Sequence, residues 1–142
     1  MFMKCSSLIE APELPATTLA RYCYGGMFYQ CSSLTNAPEL PAKTLTDNCY
    51  QFMFVGCSSL IEAPKLPATT LAKNCYDRMF YRCSKLNNVT MLATDISAAD
   101  CLYNWMYRVA SSGTFTKAAS MTSLPSGSSG IPAGWTVVDY TE

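Results

Sequence analysis

The fold is decided by the stretch Met27-Phe28-Tyr29-Gln30-Cys31-Ser32-Ser33-Leu34, which occurs in four related copies. The other copies begin at Met1, Met53 and Met79, so the starting residues are 26 positions apart each time. A fixed period of about 20 to 50 residues is the sequence signature of an array in which similar units stack on one another. The sequence therefore predicts a repeat array.

Composition limits the functions open to the chain. Of its 142 residues, 49% are hydrophobic and 14% are charged, which suits one compact unit. The ten basic and ten acidic residues cancel, so we expect no nucleic-acid partner and no attraction to an anionic lipid surface. Histidine, the commonest general base and metal ligand, is absent. We therefore predict a protein that is not an enzyme and that holds no metal and no cofactor.

The beginning of the chain carries no targeting signal. It lacks the charged segment and apolar run of a signal peptide, and no stretch reaches the roughly 18 apolar residues that a membrane span needs. We therefore expect no membrane insertion. Met1 and Phe2 already fill the Met-Phe positions of the repeat, so the sequence starts in the middle of a unit. We expect it to be part of a longer chain; the alternative is a natural start whose first unit is covered by a partner.

Each unit is predicted to consist of a short strand, a turn and a helix. Residues 34–41 indicate an extended segment, because apolar and polar residues alternate and proline, which has no N–H to donate, ends it. In the preceding unit the equivalent segment is residues 8–15, and four apolar residues come after it at steps of four, namely Leu19, Cys23, Met27 and Cys31. That spacing would place an apolar stripe on one face of a helix about three turns long, with a preceding threonine as its N-cap.

Stacking of such units predicts curvature. Parallel strands lie about 4.8 Å apart, whereas packed helices need about 8–10 Å between their axes. We therefore predict an α/β solenoid, a short curved array with parallel strands on the concave face and short helices on the convex face. A single unit cannot cover its own apolar surface, so the stability of the array would come from stacking.

The order of the motifs resembles a known family. Three motifs in order are similar to the BspA-like repeats of bacterial surface proteins, in particular to their 26-residue class. They are an opening Cys31-Ser32-Ser33-Leu34, a strand that ends at Leu40-Pro41, and a Met53-Phe54 pair whose phenylalanine lies three residues before Cys57. The resemblance covers residues 1–110. It implies a leucine-rich-repeat fold, secretion or display on a bacterial cell surface, and adhesion or protein recognition. It implies no catalytic residue. Alanine and proline replace the isoleucine-rich strands that are usual in that family.

Two segments are expected. Residues 1–110 would form the leucine-rich-repeat solenoid. Residues 111–142 would form a C-terminal cap, because the period stops and glycine, serine and proline predict loops before a closing strand over residues 135–140. Terminal repeats must present a polar outer face, which a cap supplies. A linker to a further domain is the competing interpretation.

The eight cysteines form two columns at the repeat spacing, one starting at Cys5 and one at Cys23. The second column would lie on helices, whose separation exceeds the roughly 7 Å that a disulfide spans between Cα atoms. The close Cys or His pairs typical of a zinc site are missing. We predict buried free thiols, with disulfides and metal binding as the alternatives.

Strand positions that vary between otherwise similar copies mark a candidate binding face. They are Glu10, Glu13, Asn36, Glu39, Glu62, Lys65 and Asn88. On a concave face they would form polar columns with an acidic end, and repeat arrays use such faces for recognition. The alternative is a solvated face that tolerates substitution. A tyrosine column, at Tyr29, Tyr81 and Tyr107, is a second candidate surface.

These observations lead to the hypothesis of a non-enzymatic repeat module, extracellular or on a bacterial cell surface, that binds a protein or glycan ligand. One alternative is a structural spacer or a virion or appendage repeat with no ligand of its own. Another is an accessory module of a larger glycan-acting enzyme. We also expect end-to-end self-association, because an uncovered first unit presents unpaired backbone groups.

Overall fold

The computed structural model describes residues 2–141, which contain three short strands and no helix. The strands are β1 (Asn88–Met91), β2 (Thr114–Lys117) and β3 (Thr136–Asp139). They form one parallel sheet in the order β1-β2-β3. Asn88 pairs with Thr114, and Thr114 pairs with Thr136. The closing strand expected within residues 135–140 is therefore present as β3.

The repeats stack in register. We call residues 6–31, 32–57, 58–83 and 84–109 coils 1 to 4. Parallel backbone pairing joins Glu10 to Asn36 between coils 1 and 2, and Glu62 to Asn88 between coils 3 and 4. The strand segments of coils 1 to 3 make such local pairings without forming a longer ladder, because prolines at both ends of each segment interrupt the donors.

The predicted α/β solenoid with helices on a convex face is wrong. The segments expected to be helical are runs of consecutive turns, which we call the turn runs, over residues 21–30, 47–56, 73–82 and 99–108. An α-helix needs N–H groups that bond the carbonyl four residues earlier. Here the bond spans three residues and occurs at every second residue, as from Gly25 N to Tyr22 O (3.1 Å) and from Met27 N to Tyr24 O (3.2 Å).

The remaining N–H groups of a turn run donate to the next coil. Tyr24 N bonds Cys49 O at 3.0 Å, and Phe54 N bonds Met79 O at 2.8 Å. Neighbouring coils are therefore as close on this side as hydrogen-bonded strands are. The described residues contain no layer of widely spaced helices that could bend the array into a curve. Without such a layer, the predicted concave and convex faces lose their physical basis.

Left-handed residues explain why the sequence pattern imitated a helix. Positive φ angles recur at every fourth position of the turn runs, for example 61° at Asn48, 60° at Phe52 and 74° at Gly56. Residues four apart are therefore equivalent, and the apolar ones face the core together. In coil 2 these are Cys49, Met53 and Cys57, all with 0% of their surface exposed. The step of four belongs to the turn run and not to a helix.

Aromatic columns fill the core between the coils. Phe28, Phe54 and Phe80 stack with ring centroids 5.6 Å apart at both contacts. Tyr50 and Tyr76 form a second column with centroids 6.1 Å apart. Both columns end on the fully buried ring of Trp105, 5.9 Å from Tyr76 and 6.0 Å from Phe80. Offset stacking of this kind adds about 0.5–1.5 kcal/mol per pair beyond the burial of apolar area.

The residues after position 110 continue the stack. β2 and β3 extend the sheet, and the loop 126–131 covers the turn run of coil 4. Met106 N donates to Ser128 O (3.0 Å), Asn104 N to the Ser129 hydroxyl (2.9 Å), and Trp105 Nε1 to Gly130 O (2.8 Å). A Cβ on Gly130 would lie 1.9 Å from the Pro125 carbonyl oxygen, so only glycine fits there. These bonds satisfy two backbone donors and the indole N–H of the turn run of coil 4.

Candidate functional site

The residues predicted to form a binding face all lie at the surface. Glu10, Glu13, Asn36, Glu39, Glu62, Lys65 and Asn88 are exposed. Parallel pairing sets Glu10 beside Asn36 and Glu62 beside Asn88. Asn36 and Asn88 flank the recess described next, while the four glutamates and Lys65 line it.

Two adjoining cavities run along the strand segments of coils 1 to 3, and we call them together the strand groove. The first, of 540 Å³, lies between coils 1 and 2 and is lined by Glu10, Glu13 and Glu39 among others. The second, of 490 Å³, lies between coils 2 and 3 and is lined by Glu39, Glu62 and Lys65 among others. Glu39 and Pro41 border both, so the cavities form one continuous recess.

Charge is unevenly distributed along the strand groove. Glu10, Glu13 and Glu39 gather at the coil 1 end, and none of them has a Lys or Arg within salt-bridge distance among residues 2–141. Lys43 and Lys65 lie at the coil 3 end. The coil 1 end therefore presents three uncompensated carboxylates. Such a surface attracts cationic groups and repels anions.

Lys65 marks the C-terminal limit of the groove. Its Nζ donates to the Tyr140 hydroxyl at 2.6 Å and lies 4.5 Å from the centroid of that ring. Nearby, Lys117 and Asp139 pair at 2.6 Å across β2 and β3. The final residues of the chain therefore hold a cation of the groove in place, a contact between residues 75 positions apart that the repeat spacing did not predict.

Proline supplies the walls of the groove. Pro15, Pro38, Pro41, Pro64 and Pro67 line it, and no aromatic ring does. Proline has a fixed φ, so the walls lose little conformational freedom when a ligand binds. The sequence predicts Pro15, Pro41 and Pro67 as ends of strands and Pro38 and Pro64 as replacements for strand residues. Their repetition in register was the signal that they also form a surface.

All eight cysteines are free thiols, six of them buried. Cys5 and Cys23 are exposed, contrary to the prediction of burial for every copy. The distance argument against disulfides in the second column was wrong, because it assumed helices. Burial raises the pKa of the Cys49 thiol to about 11 and that of Cys57 to about 12. These thiols stay protonated near neutral pH, and a protonated thiol is a poor nucleophile and metal ligand.

The tyrosine column is only partly assembled. Tyr81 and Tyr107 stack with centroids 4.8 Å apart, and the guanidinium groups of Arg82 and Arg108 lie 5.5 Å and 5.4 Å from those rings. The Arg108 side chain lowers the pKa of Tyr107 by hydrogen bonding. Coil 2 carries Val55 at this position, so Tyr29 is separated from the other two tyrosines.

Within residues 2–141 no three His, Cys, Asp or Glu side chains converge as metal ligands, and no helix could span a membrane. The chain matches no protein-family model, and no curated protein or solved structure matches it significantly. The likeness to BspA-like repeats consequently rests on the motifs of the sequence alone.

Proposed function

We propose that the chain is a non-enzymatic recognition module of a secreted or surface-displayed bacterial protein and that it binds a protein ligand through the strand groove. The observation that supports this proposal is the recess shared by coils 1 to 3, with carboxylates at one end and rigid proline walls. The motifs that resemble BspA-like surface repeats agree with such a role, which in this proposal is adhesion.

The ligand for this groove is a basic segment of a protein rather than a sugar. Glu10, Glu13 and Glu39 carry three negative charges that no neighbouring cation in the described chain offsets. A Lys or Arg side chain would donate charge-assisted hydrogen bonds to these carboxylates. Sugar-binding surfaces combine polar groups with aromatic platforms, and the lining residues of this groove include no aromatic ring.

The test is an array of peptides of graded Lys and Arg content, together with a glycan array, probed with the purified chain. The test variant carries Glu10→Gln, Glu13→Gln and Glu39→Gln. The matched control carries Asp47→Asn, Asp95→Asn and Asp100→Asn, which removes the same number of charges away from the groove. We expect the parent and the control to bind basic peptides and the test variant to lose about tenfold in affinity, since each charged contact between exposed groups contributes about 0.2–1 kcal/mol.

Salt provides a second readout. Affinity for basic peptides should fall as ionic strength rises from about 0.05 to 0.5 M, because contacts between exposed charges are screened. Peptide binding that survives the three Glu→Gln changes would contradict the assignment of the groove.

A structural spacer is the second candidate. It is favoured by the continuous hydrogen bonds and ring stacking between coils, which would make the array a stiff rod with or without a ligand. Failure of the purified chain to bind on both arrays would favour this candidate over recognition.

A further inference from the structure

A hollow lies on the turn run of coil 1, away from the strand groove. Gly25 and Gly26 occupy positions that carry Gln51-Phe52, Asp77-Arg78 and Tyr103-Asn104 in coils 2, 3 and 4. The missing side chains leave a cavity of 640 Å³. We call it the glycine notch; it is lined by Met3, Lys4, Tyr22, Gly25, Gly26, Tyr29, Gln51 and Phe52.

One face of the Phe52 ring is available in the notch. On the side of coil 3 that ring packs against the Arg78 guanidinium, whose carbon lies 5.6 Å from the Phe52 centroid and 4.7 Å from the Tyr103 centroid. On the side of coil 1 the neighbour is Gly26, whose N–H bonds Gln51 O at 2.8 Å. The chain thus packs a flat group against one side of Phe52 and leaves a cavity on the other side, where the Met3 methyl group lies 3.5 Å from the position that a Gly26 Cβ would take.

The lining of the notch is mostly apolar, and the Gln51 amide within it is fixed in place. Gln51 Oε1 accepts from Asn48 Nδ2 at 2.9 Å, and Gln51 Nε2 donates to Asp77 Oδ2 at 2.7 Å, so the amide is held in one orientation. Its oxygen keeps a second lone pair for a ligand. Tyr22, which is 55% exposed, and Tyr29 add ring surface and hydroxyl groups. Aromatic surface is therefore combined with hydrogen-bonding groups, as in sites that hold small polar molecules.

The charge at the notch is positive. Lys4 lines it, and the Arg21 guanidinium lies 5.4 Å from the Tyr22 centroid. Neither cation has a carboxylate within salt-bridge distance in the described part of the chain. Asp77, the acid joined to Gln51, is buried and paired with Arg78 at 3.1 Å. An anionic ligand is complementary to this surface, whereas the strand groove has the opposite charge.

We propose that the glycine notch is a second binding site, for a pyranose sugar that bears a carboxylate, such as a uronic or a sialic acid. The apolar C–H face of the sugar packs on the side of Phe52 that lines the notch and on Tyr22, next to Met3. The carboxylate accepts from Lys4, and the hydroxyl groups bond Gln51 and the tyrosines. Only coil 1 has this site, because the other coils fill the equivalent space with side chains.

The test is a titration of the isotope-labelled chain followed by NMR, with methyl glucuronide and N-acetylneuraminic acid as probes. Neutral methyl glucoside tests the need for the carboxylate, and benzoate tests the need for the sugar. We expect the amide signals of Gly25, Gly26 and Gln51 to shift, with a dissociation constant of about 1 mM for at least one of the two acidic sugars. The two sugars separate a uronic from a sialic source.

Three variants locate the site. Gly26→Phe copies Phe52, which occupies the equivalent position at a φ of 60°, and should abolish binding by filling the notch. Lys4→Gln should weaken binding about tenfold through loss of a charge-assisted contact. Gly56→Gln places a side chain at another left-handed position of a turn run, as in Gln30; it should lower stability, as Gly56→Ala does, but bind like the parent because it lies outside the notch.

Several results would overturn the proposal. Equal binding of methyl glucoside would remove the role of the carboxylate, and binding of benzoate but neither acidic sugar would remove the sugar. No shift with either acidic sugar would exclude the site, as would binding that is unchanged in Lys4→Gln. Should Gly26→Phe fail to fold, the Lys4→Gln affinity and the location of the shifted amides decide the question.

Discussion

The Cys57 thiol donates a hydrogen bond to the carbonyl oxygen of Phe28 in the preceding coil, with the sulfur 3.1 Å from the oxygen. Cys83 repeats the contact with Phe54 at 3.0 Å. In these copies the cysteine that ends the Met-Phe-x-x-Cys motif is therefore more than a small apolar filler, because it joins its coil to the one before. Cys5, which ends the first copy, makes no such contact within the described residues.

We expect Cys57→Ala to lower the free energy of unfolding by about 1–3 kcal/mol, because it removes a buried hydrogen bond and opens a small cavity. The Phe28 carbonyl would keep its bond from Cys31 N at 3.0 Å, which limits the loss. The control is Cys23→Ala at an exposed cysteine, which should change stability by less than about 0.5 kcal/mol. Urea unfolding measures both; equal losses would contradict the role of the thiol.

Stability should decrease at alkaline pH. Burial raises the pKa of Cys49 from 9.0 to about 11 and that of Cys57 from 9.0 to about 12. At a pH between the unfolded pKa near 9 and these folded-state pKa values, the folded state binds more protons than the unfolded state, so rising pH favours unfolding. The contribution is fully present below pH 9 and is lost between about pH 9 and 12, at about 1.4 kcal/mol per thiol for each pH unit.

Melting temperatures measured from pH 7 to 11 under reducing conditions test this expectation. The melting temperature should be flat up to about pH 8.5 and then fall, and the fall should be smaller in Cys57→Ala, which has lost one of the titrating groups. A fall of the same size in that variant would show that other groups govern the alkaline transition.

The backbone of the turn runs can be probed with one substitution at two glycines. Gly56 has a φ of +74°, so Gly56→Ala should cost about 1–2 kcal/mol. Gly25 has no positive φ, and a Cβ there would lie 3.5 Å from its nearest neighbour, which is ordinary contact. Gly25→Ala should therefore be neutral or stabilising by up to about 1 kcal/mol. Thermal unfolding of the two variants gives the comparison; a helix over these residues would instead favour alanine at both.

Asp77 holds the polar side of the turn runs together. Its buried carboxylate accepts from Gln51 Nε2 (2.7 Å), Arg78 Nη1 (3.1 Å) and Asn74 Nδ2 (3.3 Å). We expect Asp77→Ala to cost about 2–3 kcal/mol, because several donors lose their acceptor. Asp139→Ala, which breaks only an exposed pair with Lys117, should cost less than about 1 kcal/mol. Chemical unfolding measures both variants. Equal losses in the free energy of unfolding would contradict this ranking.

Much of the core follows from the period of the sequence. Equal spacing places like residues above one another, which accounts for the phenylalanine and tyrosine columns and for the burial of Cys49 and Cys75. The closing strand was predictable from its β-branched residues. The secondary structure of the turn runs was not predictable, because apolar residues at steps of four fit a three-turn helix as well as a run of turns.

A second sequence pattern could have distinguished a run of turns from a helix. Asn48, Asn74 and Asn104 share the turn runs with Gly26 and Gly56, all at positive φ. Asparagine and glycine are the residues that best tolerate left-handed conformations and are poor helix formers. The candidate groove was harder to foresee in full, because Lys65 and Tyr140 meet only after the residues beyond the repeats join the sheet.

The direction of the hydrogen bonds in the turn runs has a mechanical consequence. N–H groups of one coil point to carbonyl groups of the next, as from Phe28 to Met53 and from Phe54 to Met79. Tension applied between the two ends of the stack would thus act along these bonds and load them a few at a time. The array should yield under force coil by coil, each 26-residue unit releasing about 90 Å of extended chain. A protein that anchors one body to another would in this way lengthen in steps under strain before the attachment is lost.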